Sequence, residues 1–298
     1  MASGLFLLYK EQGLTSQTAV KRVGRLFGEK KAGHTGTLDP LAEGVLPVLV
    51  GRAVKASEFL LTGEKKYIAH LRFGVRSDTE DITGTLVPSD KPLPTETEVL
   101  AVLDRFRGEI LQVPPMYSAL KVDGKKLCDL ARKGQEIERE ARPIRVYELS
   151  AERLSDEEYR LFVHCSKGTY IRTLCADIGE ALGVGGVMSR LLRAEAAGYS
   201  LSQAHTLAEL EALPPEERES LLLPLEEVFS AYPRVTLPPF FARLAHAGAP
   251  IYQKKIGTAY PDGEVVALYD GEGLFALAEA KTSDEGDAML YSLRLFRL

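Results

Sequence analysis

The residues best suited to chemistry lie in the stretch GHTGTLDP, at positions 33–40. Asp39 precedes a proline, which keeps its backbone out of the helical region, so its carboxylate is predicted to lie in a loop. The two glycines of the stretch allow another backbone to approach closely. On these local features alone, a helix cap or an Asx-turn is the favoured role of Asp39, and carboxylate chemistry is the alternative.

Other polar and aromatic side chains have a plain structural interpretation as well as a functional one. Asp78, Glu80 and Asp81 in the stretch SDTED are first interpreted as parts of a hairpin turn, with carboxylate chemistry as the alternative. Tyr67 and Tyr170 are first interpreted as aromatic residues of the core or its rim, with base stacking as the alternative. Local sequence alone therefore does not single out a site.

Arg172 differs from these residues because it falls on the first turn of an apolar helix, predicted from YIRTLCADIGEALG. A buried or half-buried guanidinium needs an anion, supplied either by the protein or by a ligand. Arg172 is therefore the basic side chain that most clearly requires an anionic partner from elsewhere in the chain or from outside it.

Several familiar sites are excluded by the sequence. It contains no GxxxxGK[ST] phosphate-binding loop, no HExxH pair and no GxSxG nucleophile motif. Its three cysteines and five histidines are scattered, which predicts a reducing compartment and no metal site. No apolar run approaches the roughly 18–20 residues that span a bilayer, and the N-terminus lacks the basic start of a secretory signal. We therefore expect a cytoplasmic protein without metal or cofactor.

The net charge of −5 is distributed unevenly along the chain. Residues 207–230 hold seven Glu and one Arg, a local balance of −6. Residues 15–35 instead hold five Lys and Arg side chains against a single Glu. Because phosphate binding depends on a local patch rather than on the total charge, this segment is either a nucleic-acid-binding surface or a plain solvated helix face.

The elements that carry these residues are predicted from periodicity and capping patterns. A strand is predicted at residues 5–9, followed by a helix that Ser16 caps and that turns Val20, Val23 and Phe27 to one face. The other predictions are a helix in RAVKASEFLLTG ending at Gly63, a strand at KYIAHLRFG, a helix from the Thr95–Glu98 capping box to about Phe106, paired strands at RPIRVYELSAERL and EYRLFVHC, and an acidic amphipathic segment at PPEERESLLLPLEEVF.

The character of the sequence changes after Tyr232. The stretches VTLPPF, EVVALYD, LFALAEAK and MLYSLRLFRL are predicted as short strands, separated by DG, GEG and DEGD turns. Strands at this spacing are typical of a small all-β unit. We therefore expect one domain over residues 1–232 and a second over residues 233–298.

The stretch GHTGTLDPLAEGVLPVLVGRAVK resembles the catalytic block of the bacterial tRNA pseudouridine-55 synthases of the TruB type. The resemblance is continuous over about residues 4–195, and the tail is similar to the family's C-terminal PUA-type module. It implies an α+β fold with a mixed, largely antiparallel central sheet flanked by helices, plus a C-terminal all-β PUA-like RNA-binding domain. The further blocks that resemble the family, in its order, are KKYIAHLRFGVRSDTEDITG, PPMYSALKVDGKKLCDLARKG, ARPIRVYEL and CSKGTYIRTLCADIGEALG.

That family converts the uridine at position 55 in the T-loop of tRNA to pseudouridine by flipping the base, breaking its glycosidic bond and reattaching it through C5. The resemblance reverses the local interpretation of Asp39 and implies that it is the nucleophile or its equivalent. It also implies that Arg172 pairs with Asp39, lowering the pKa of the carboxylate and orienting it. Tyr67 would stack on the uracil and act in proton transfer, and Tyr170 and Leu191 would line the base pocket.

The resemblance also implies where RNA is contacted. His34 would contact the RNA near the space that the flipped base vacates. Lys10, Lys21, Arg22 and Arg25 are the candidates for contacts with the RNA backbone, and they give the basic segment a nucleic-acid-binding role. The expected partner is the T-arm stem-loop of tRNA, and we expect a monomer that uses no metal, no cofactor and no membrane.

Two other classes of function remain open at the level of sequence. An RNA-binding protein or tRNA-folding chaperone on the same scaffold would not need Asp39, Tyr67 and Arg172. A glycoside hydrolase would use Asp39 and Asp81 as a carboxylate pair, although the chain has no tryptophan to form a sugar platform. Outside the implied catalytic set, the chain departs from the family pattern at Tyr9, Glu11, Cys128, Gly186, Val187 and Leu192.

Overall fold

The computed structural model describes residues 2–60, 63–122 and 124–297. Over these residues the strands are β1 Gly4–Lys10, β2 Ala32–His34, β3 Glu43–Val50, β4 Lys65–Phe73, β5 Val75–Ser77, β6 Leu86–Pro88, β7 Gly108–Gln112, β8 Lys121–Val122, β9 Lys125–Lys126, β10 Arg142–Arg153, β11 Glu158–Cys165, β12 Gly186–Ala196, β13 Tyr199–Ser200, β14 Arg234–Thr236, β15 Ile251–Tyr252, β16 Val265–Asp270, β17 Gly273–Thr282 and β18 Ala288–Leu295.

The α-helices are short, and several continue into or follow turns of 3-10 helix. Over the same described residues they are α1 Ser16–Leu26, α2 Ser57–Leu60, α3 Glu96–Val102, α4 Leu127–Ala131, α5 Ile171–Ala181, α6 Leu207–Ala212, α7 Pro215–Arg218, α8 Leu225–Val228 and α9 Pro239–His246. The 3-10 turns are Gly51–Ala56, Leu103–Phe106, Leu201–Gln203, Glu219–Leu221 and Gln253–Lys255.

One mixed sheet of nine strands dominates the described part of the chain. Its order is β1-β3-β12-β4-β11-β10-β7, with β2 paired to β3 and β13 paired to β12. Strands β3 and β12 run parallel, and the other neighbours in that order run antiparallel. The predicted α+β fold with a mixed, largely antiparallel central sheet flanked by helices is therefore confirmed. Strands β3, β12 and β4 lie side by side at its centre, where the candidate residues converge.

Amphipathic helices cover this sheet and fix the position of the loops that leave it. Helix α1 and its C-cap Phe27 bury Val23 and Phe27 on one face, as the periodicity predicts, and Phe27 meets Phe6 of β1 edge to face at 5.6 Å between ring centroids. Helix α5 buries Leu174 and Ile178 against the same core. Burying side chains of this size contributes about 1.5–3 kcal/mol each, so both helices are firmly anchored beside the sheet.

A second sheet, with the order β14-β16-β17-β18-β15, occupies the C-terminal part of the chain. It packs its own apolar core and also shares a buried cluster with the large sheet. In that cluster Leu5 and Leu49 lie with Leu277, and Phe229 stacks on Phe296 at 5.4 Å between ring centroids. Strand β14, the first strand of this second sheet along the chain, spans Arg234–Thr236. We therefore propose that the domain boundary lies between residues 232 and 233, with an extensive apolar contact across it.

The start of helix α1 differs from the prediction in a useful way. Thr15, not Ser16, is the N-cap, because its side chain accepts the N–H of Thr18 at 3.1 Å. Ser16 is the first helical residue, and its hydroxyl is bound to the backbone of Leu38. Local sequence gives either residue as a cap, and only the long-range contact with Leu38 decides between them.

Two other elements also differ from the predictions. The stretch predicted as a helix ending at Gly63 forms a 3-10 turn and the short helix α2, and its residues 61–62 lie outside the described residues. In VTLPPF the strand ends at Thr236, because Pro238 and Pro239 lack the N–H that a strand would donate and instead begin helix α9. The capping box of Thr95 with Glu98, by contrast, forms as predicted.

Candidate active site

Asp39 lies in the loop between β2 and β3, and neighbouring segments hold this loop on both sides of it. The Ser16 hydroxyl donates to the Leu38 carbonyl and accepts the Leu38 N–H, both at 2.8 Å. The Gly13 N–H donates to the Pro40 carbonyl at 2.7 Å. The Asp39 side chain remains 35% exposed, so the loop presents a carboxylate that a ligand can reach.

Arg172, on the first turn of α5, is buried and lies beside that carboxylate. Its Nε is 2.9 Å from Asp39 Oδ2. Its Nη1 donates to the Thr79 carbonyl at 3.1 Å, and its Nη2 donates to the Tyr117 carbonyl at 2.8 Å. Because a guanidinium is planar, its bonds to two fixed backbone carbonyls set its orientation, and this in turn sets the direction from which it meets Asp39.

Asp81 is a second carboxylate at Arg172, and the favoured sequence interpretation as a turn residue missed this. It is 5% exposed, and its Oδ2 lies 3.9 Å from Arg172 Nη1. Its Oδ1 accepts the Thr79 hydroxyl at 2.7 Å and both the N–H and the hydroxyl of Thr83. The threonines that flank Asp81 in SDTEDIT were the available sequence signal, since they satisfy a buried carboxylate locally.

The pKa of Asp39 is raised overall, although Arg172 lowers it as expected. Burial disfavours the charged form and raises the pKa, and the nearby Asp81 raises it further. Arg172 and Lys10 lower the pKa of Asp39 but do not offset burial. Arg172 therefore opposes the effect of burial and favours the ionised form of Asp39, rather than making it an unusually strong acid.

A cavity of about 270 Å³ opens beside Asp39 and Arg172. Its walls include Tyr67 of β4, Leu191 of β12 and Tyr170, which directly precedes α5. Burial raises the pKa of Tyr67, so its phenol is neutral at physiological pH. The predicted residues that come together at this cavity are therefore Asp39, Arg172, Tyr67, Tyr170 and Leu191.

Tyr170 owes its position to Gln112, a buried residue that the sequence analysis did not single out. The Tyr170 N–H donates to Gln112 Oε1 at 2.8 Å, and Gln112 Nε2 donates back to the Tyr170 carbonyl at 3.1 Å. Such a reciprocal amide contact fixes the backbone just before α5. Because Gln112 ends β7 and Tyr170 lies 58 residues later, no local pattern predicts the pair.

His34 lies in a larger, adjoining cleft of about 610 Å³ that also reaches Asp39. Its Nδ1 accepts the Gly36 N–H at 3.2 Å. Burial lowers the pKa of His34, and Arg193 lowers it further, so the imidazole is uncharged at neutral pH. Cys128 of α4 and Arg132, which directly follows that helix, also line this cleft.

Lys10 is the one backbone-contact candidate that the structure contradicts. It is fully buried, and its Nζ donates to the carbonyls of Glu11 at 3.0 Å and Leu14 at 2.8 Å. Burial lowers the pKa of Lys10 to about 8, and the charge of Asp39 opposes that shift. The Lys10 ammonium is therefore not exposed to an RNA backbone in this structure and supplies a buried cation behind Asp39.

The other three backbone-contact candidates lie on α1. Lys21 and Arg25 are exposed, and Arg22 pairs with Glu211 at 2.6 Å. An exposed pair of this kind contributes little to stability, so Arg22 can exchange Glu211 for a phosphate at little cost. Glu211, in the acidic stretch at residues 207–230, thus faces the basic helix α1.

Among residues 2–60, 63–122 and 124–297, no group of three or more His, Cys, Asp or Glu side chains is arranged to hold a metal ion. No helix in those ranges is long and apolar enough to cross a membrane.

Comparison with known proteins places this geometry in a family. Residues 24–171 match the TruB family pseudouridylate synthase N-terminal domain, and residues 172–230 match the tRNA pseudouridylate synthase B C-terminal domain. The tRNA pseudouridine synthase B of Serratia proteamaculans is 42% identical, over 95% of this chain and 92% of the relative. The protein of the same name from Alkaliphilus oremlandii is 41% identical, over 98% of both chains.

A solved structure extends the likeness to the fold. The chain resembles one in the crystal structure of a Cbf5–Nop10–Gar1 complex, with a TM-score of 0.72 and 26% sequence identity. The match covers 99% of this chain and 85% of the other. It therefore includes the C-terminal sheet as well as the large sheet and its helices.

Proposed function

The chain belongs to the TruB family of pseudouridylate synthases and is an RNA-binding isomerase, and we propose that it converts the uridine at position 55 in the T-loop of tRNA to pseudouridine. The observation that carries the proposal is the contact of Asp39 with Arg172 at 2.9 Å, at the mouth of a cavity walled by Tyr67. A pure RNA-binding protein has no use for a half-buried carboxylate held in this way.

The chemistry follows from the charge that bond cleavage creates. When the C1′–N1 bond breaks, its electron pair leaves with N1, so uracil departs as an anion and positive charge develops at C1′. The Asp39 carboxylate stabilises or captures that charge. Uracil then turns and bonds to C1′ through C5, C5 loses its proton and N1 gains one. The product is an isomer of the substrate, since no water is consumed and no electron is transferred.

Tyr67 and Leu191 fit the role of a base pocket. Both are less than a tenth exposed and lie on the adjacent strands β4 and β12, so a base between them would be held by rigid elements. A neutral Tyr67 phenol can both stack on uracil and exchange a proton near the sugar. Tyr170 closes the cavity on the side of α5.

The approach of RNA requires the target base to leave its stack, at a cost of a few kcal/mol. An uncharged His34 beside Asp39 can stack in the vacated space and hydrogen-bond there. Lys21, Arg22 and Arg25 on α1 would meet phosphates of the T-arm along the adjoining cleft. We further infer that the protein works as a monomer in the cytoplasm, where tRNA is found and its three thiols stay reduced.

The site does not supply the second catalytic carboxylate that a glycoside hydrolase would need. Asp81 is buried, and its Oδ1 already accepts hydrogen bonds from Thr79 and Thr83, so it is poorly placed to activate a water. The test is to incubate the protein with a T-arm stem-loop RNA, digest the RNA and separate the nucleosides. The proposal predicts pseudouridine without free uracil. Free uracil would indicate a hydrolase, and RNA binding without either product would indicate a chaperone.

A further inference from the structure

Arg193 is a buried arginine in the site whose role neither the sequence analysis nor the proposed chemistry assigns. It is 1% exposed and ranks first by volume among the fully buried side chains. It lies on β12, two residues after Leu191, and contributes to the wall of the cavity beside Asp39. A guanidinium is costly to bury, so its partners should explain why it is there.

The Arg193 side chain donates its hydrogen bonds to backbone carbonyls that lie before and after Asp39 in the chain. Its Nη2 donates to Gly36 at 3.2 Å and its Nη1 to Thr37 at 3.4 Å, just before Asp39. Its Nε donates to the carbonyl of Val45 at 2.7 Å, in strand β3, which the chain enters after Asp39. One rigid fork therefore joins the two ends of the loop that presents the carboxylate.

The backbone of Arg193 holds the same loop a second time. Gly44 pairs with Arg193 across the parallel strands β3 and β12. A Cβ on Gly44 would lie 2.3 Å from the Arg193 carbonyl oxygen, and the φ of Gly44 is +111°. Only glycine permits this approach, so the return of the loop into β3 is fixed against Arg193 by main chain and side chain together.

Arg193 also faces Tyr67. The two residues are directly paired across the antiparallel strands β12 and β4, so their side chains lie on the same face of the sheet. Both residues also line the cavity beside Asp39, and the positive charge of Arg193 lowers the pKa of Tyr67 against the effect of burial. Among the described residues no carboxylate oxygen lies within 4.0 Å of the Arg193 nitrogens, so its charge is not neutralised by an ion pair.

We propose that Arg193 is the positioning residue that holds the Asp39 loop and Tyr67 in fixed relation, and that its charge, which no described carboxylate neutralises, polarises the Tyr67 hydroxyl. The proposal rests on the proposed isomerase function for its kinetic consequences. The effect of Arg193 on the Tyr67 phenol does not depend on that function, because it is present without RNA.

Three variants test the proposal. Arg193→Gln removes the charge and the fork, and Arg193→Lys keeps the charge but cannot reach carbonyls on both sides of Asp39. Arg218→Gln is the matched control, because Arg218 also donates to several backbone carbonyls, those of Leu26, Leu210 and Leu213, away from the site. We expect Arg193→Gln to lower kcat at least a hundredfold and Arg193→Lys at least tenfold, each with KM changed less than threefold. Arg218→Gln should lower the melting temperature and leave kcat within twofold.

A second readout is independent of activity. The ring Cζ of tyrosine, labelled with ¹³C, reports phenol ionisation by NMR, and Tyr67→Phe identifies the resonance of Tyr67. In the RNA-free Arg193→Gln variant we expect an altered Tyr67 resonance, with the Tyr67 phenol titrating at higher pH. If that variant does not fold, the altered resonance is expected in Arg193→Lys. Folded Arg193→Gln with kcat within threefold of the wild type, Arg193→Lys with full kcat, or an unchanged Tyr67 resonance would each overturn the proposal. A wild-type protein without isomerase activity would instead refute the proposed function and leave the NMR test standing.

Discussion

Replacing Arg172 by lysine keeps the positive charge beside Asp39 and removes the geometry that directs it. The guanidinium reaches the carboxylate and the carbonyls of Thr79 and Tyr117 from three different nitrogens. A lysine has a single nitrogen, so an ammonium that pairs with Asp39 leaves buried carbonyls without a donor, at about 1–3 kcal/mol each. The free energy of unfolding should therefore fall by about 2 kcal/mol or more.

The larger effect of Arg172→Lys is on rate. A misplacement of about 1 Å in a positioned group costs about 10²-fold, so we expect single-turnover conversion to fall by about 10²–10³-fold. The assay is tritium release from RNA labelled at C5 of uridine, because C5 exchanges its hydrogen for the bond to C1′. The matched control is Arg76→Lys, since Arg76 also pairs with a carboxylate, that of Glu180 through two nitrogens, but lies on the surface.

The control variant should keep its rate within about twofold, because exposed pairs contribute only about 0–1 kcal/mol. If folded Arg172→Lys kept its rate within threefold of the wild type, charge alone would suffice and the orienting role of Arg172 would be wrong. Equal losses in both variants would point to a general effect of replacing arginine.

Four further outcomes follow from the structure. Asp39→Asn should abolish isomerisation while the Kd for tRNA, measured by filter binding, changes less than about tenfold or ~1.4 kcal/mol. Burial raises the pKa of Asp39, and the ionised form is the active one, so kcat should fall as the pH drops through a value above the usual aspartate range. Arg172→Gln should move this acid limb of the pH–rate profile to still higher pH. An unshifted limb would count against Asp39 as the titrating group. Ser16→Ala leaves the N–H and carbonyl of Leu38 unpaired, so urea denaturation should show a loss of about 1–3 kcal/mol, and kcat should fall with it. Phe296→Ala empties a site in the cluster shared by the two sheets and should cost about 3–5 kcal/mol in thermal denaturation with little change in kcat; a smaller loss would mean that the C-terminal sheet is only loosely attached.

The sequence was sufficient to predict elements that short, local patterns specify and site residues that lie within the blocks resembling the family. The capping box at Thr95 needs only four residues, and the face of α1 that packs on Phe6 follows from its spacing. Asp39 and Arg172 were placed together through the resemblance, and their contact at 2.9 Å agrees with it. Local sequence features alone favoured a cap or turn for Asp39.

The remainder depends on long-range packing that no local pattern contains. Lys10 has the residue type of a surface cation, yet it is buried because carbonyls of Glu11 and Leu14 satisfy its ammonium. Arg193 matters only once β12 lies between β3 and β4, which brings its side chain to a loop more than 140 residues earlier. The apolar contact of Phe296 with Phe229 likewise joins elements that the sequence suggested were independent domains.

The most direct test of the account is to map pseudouridine, nucleotide by nucleotide, in a T-arm stem-loop RNA treated with carbodiimide after incubation with the protein or its Asp39→Asn variant. A reverse-transcription stop at position 55 with the wild-type protein, absent with a variant that still binds the RNA, is the predicted result. A stop at another uridine alone would refute the proposed position. An equal stop at position 55 with Asp39→Asn would contradict the central claim that the Asp39 carboxylate carries the reaction.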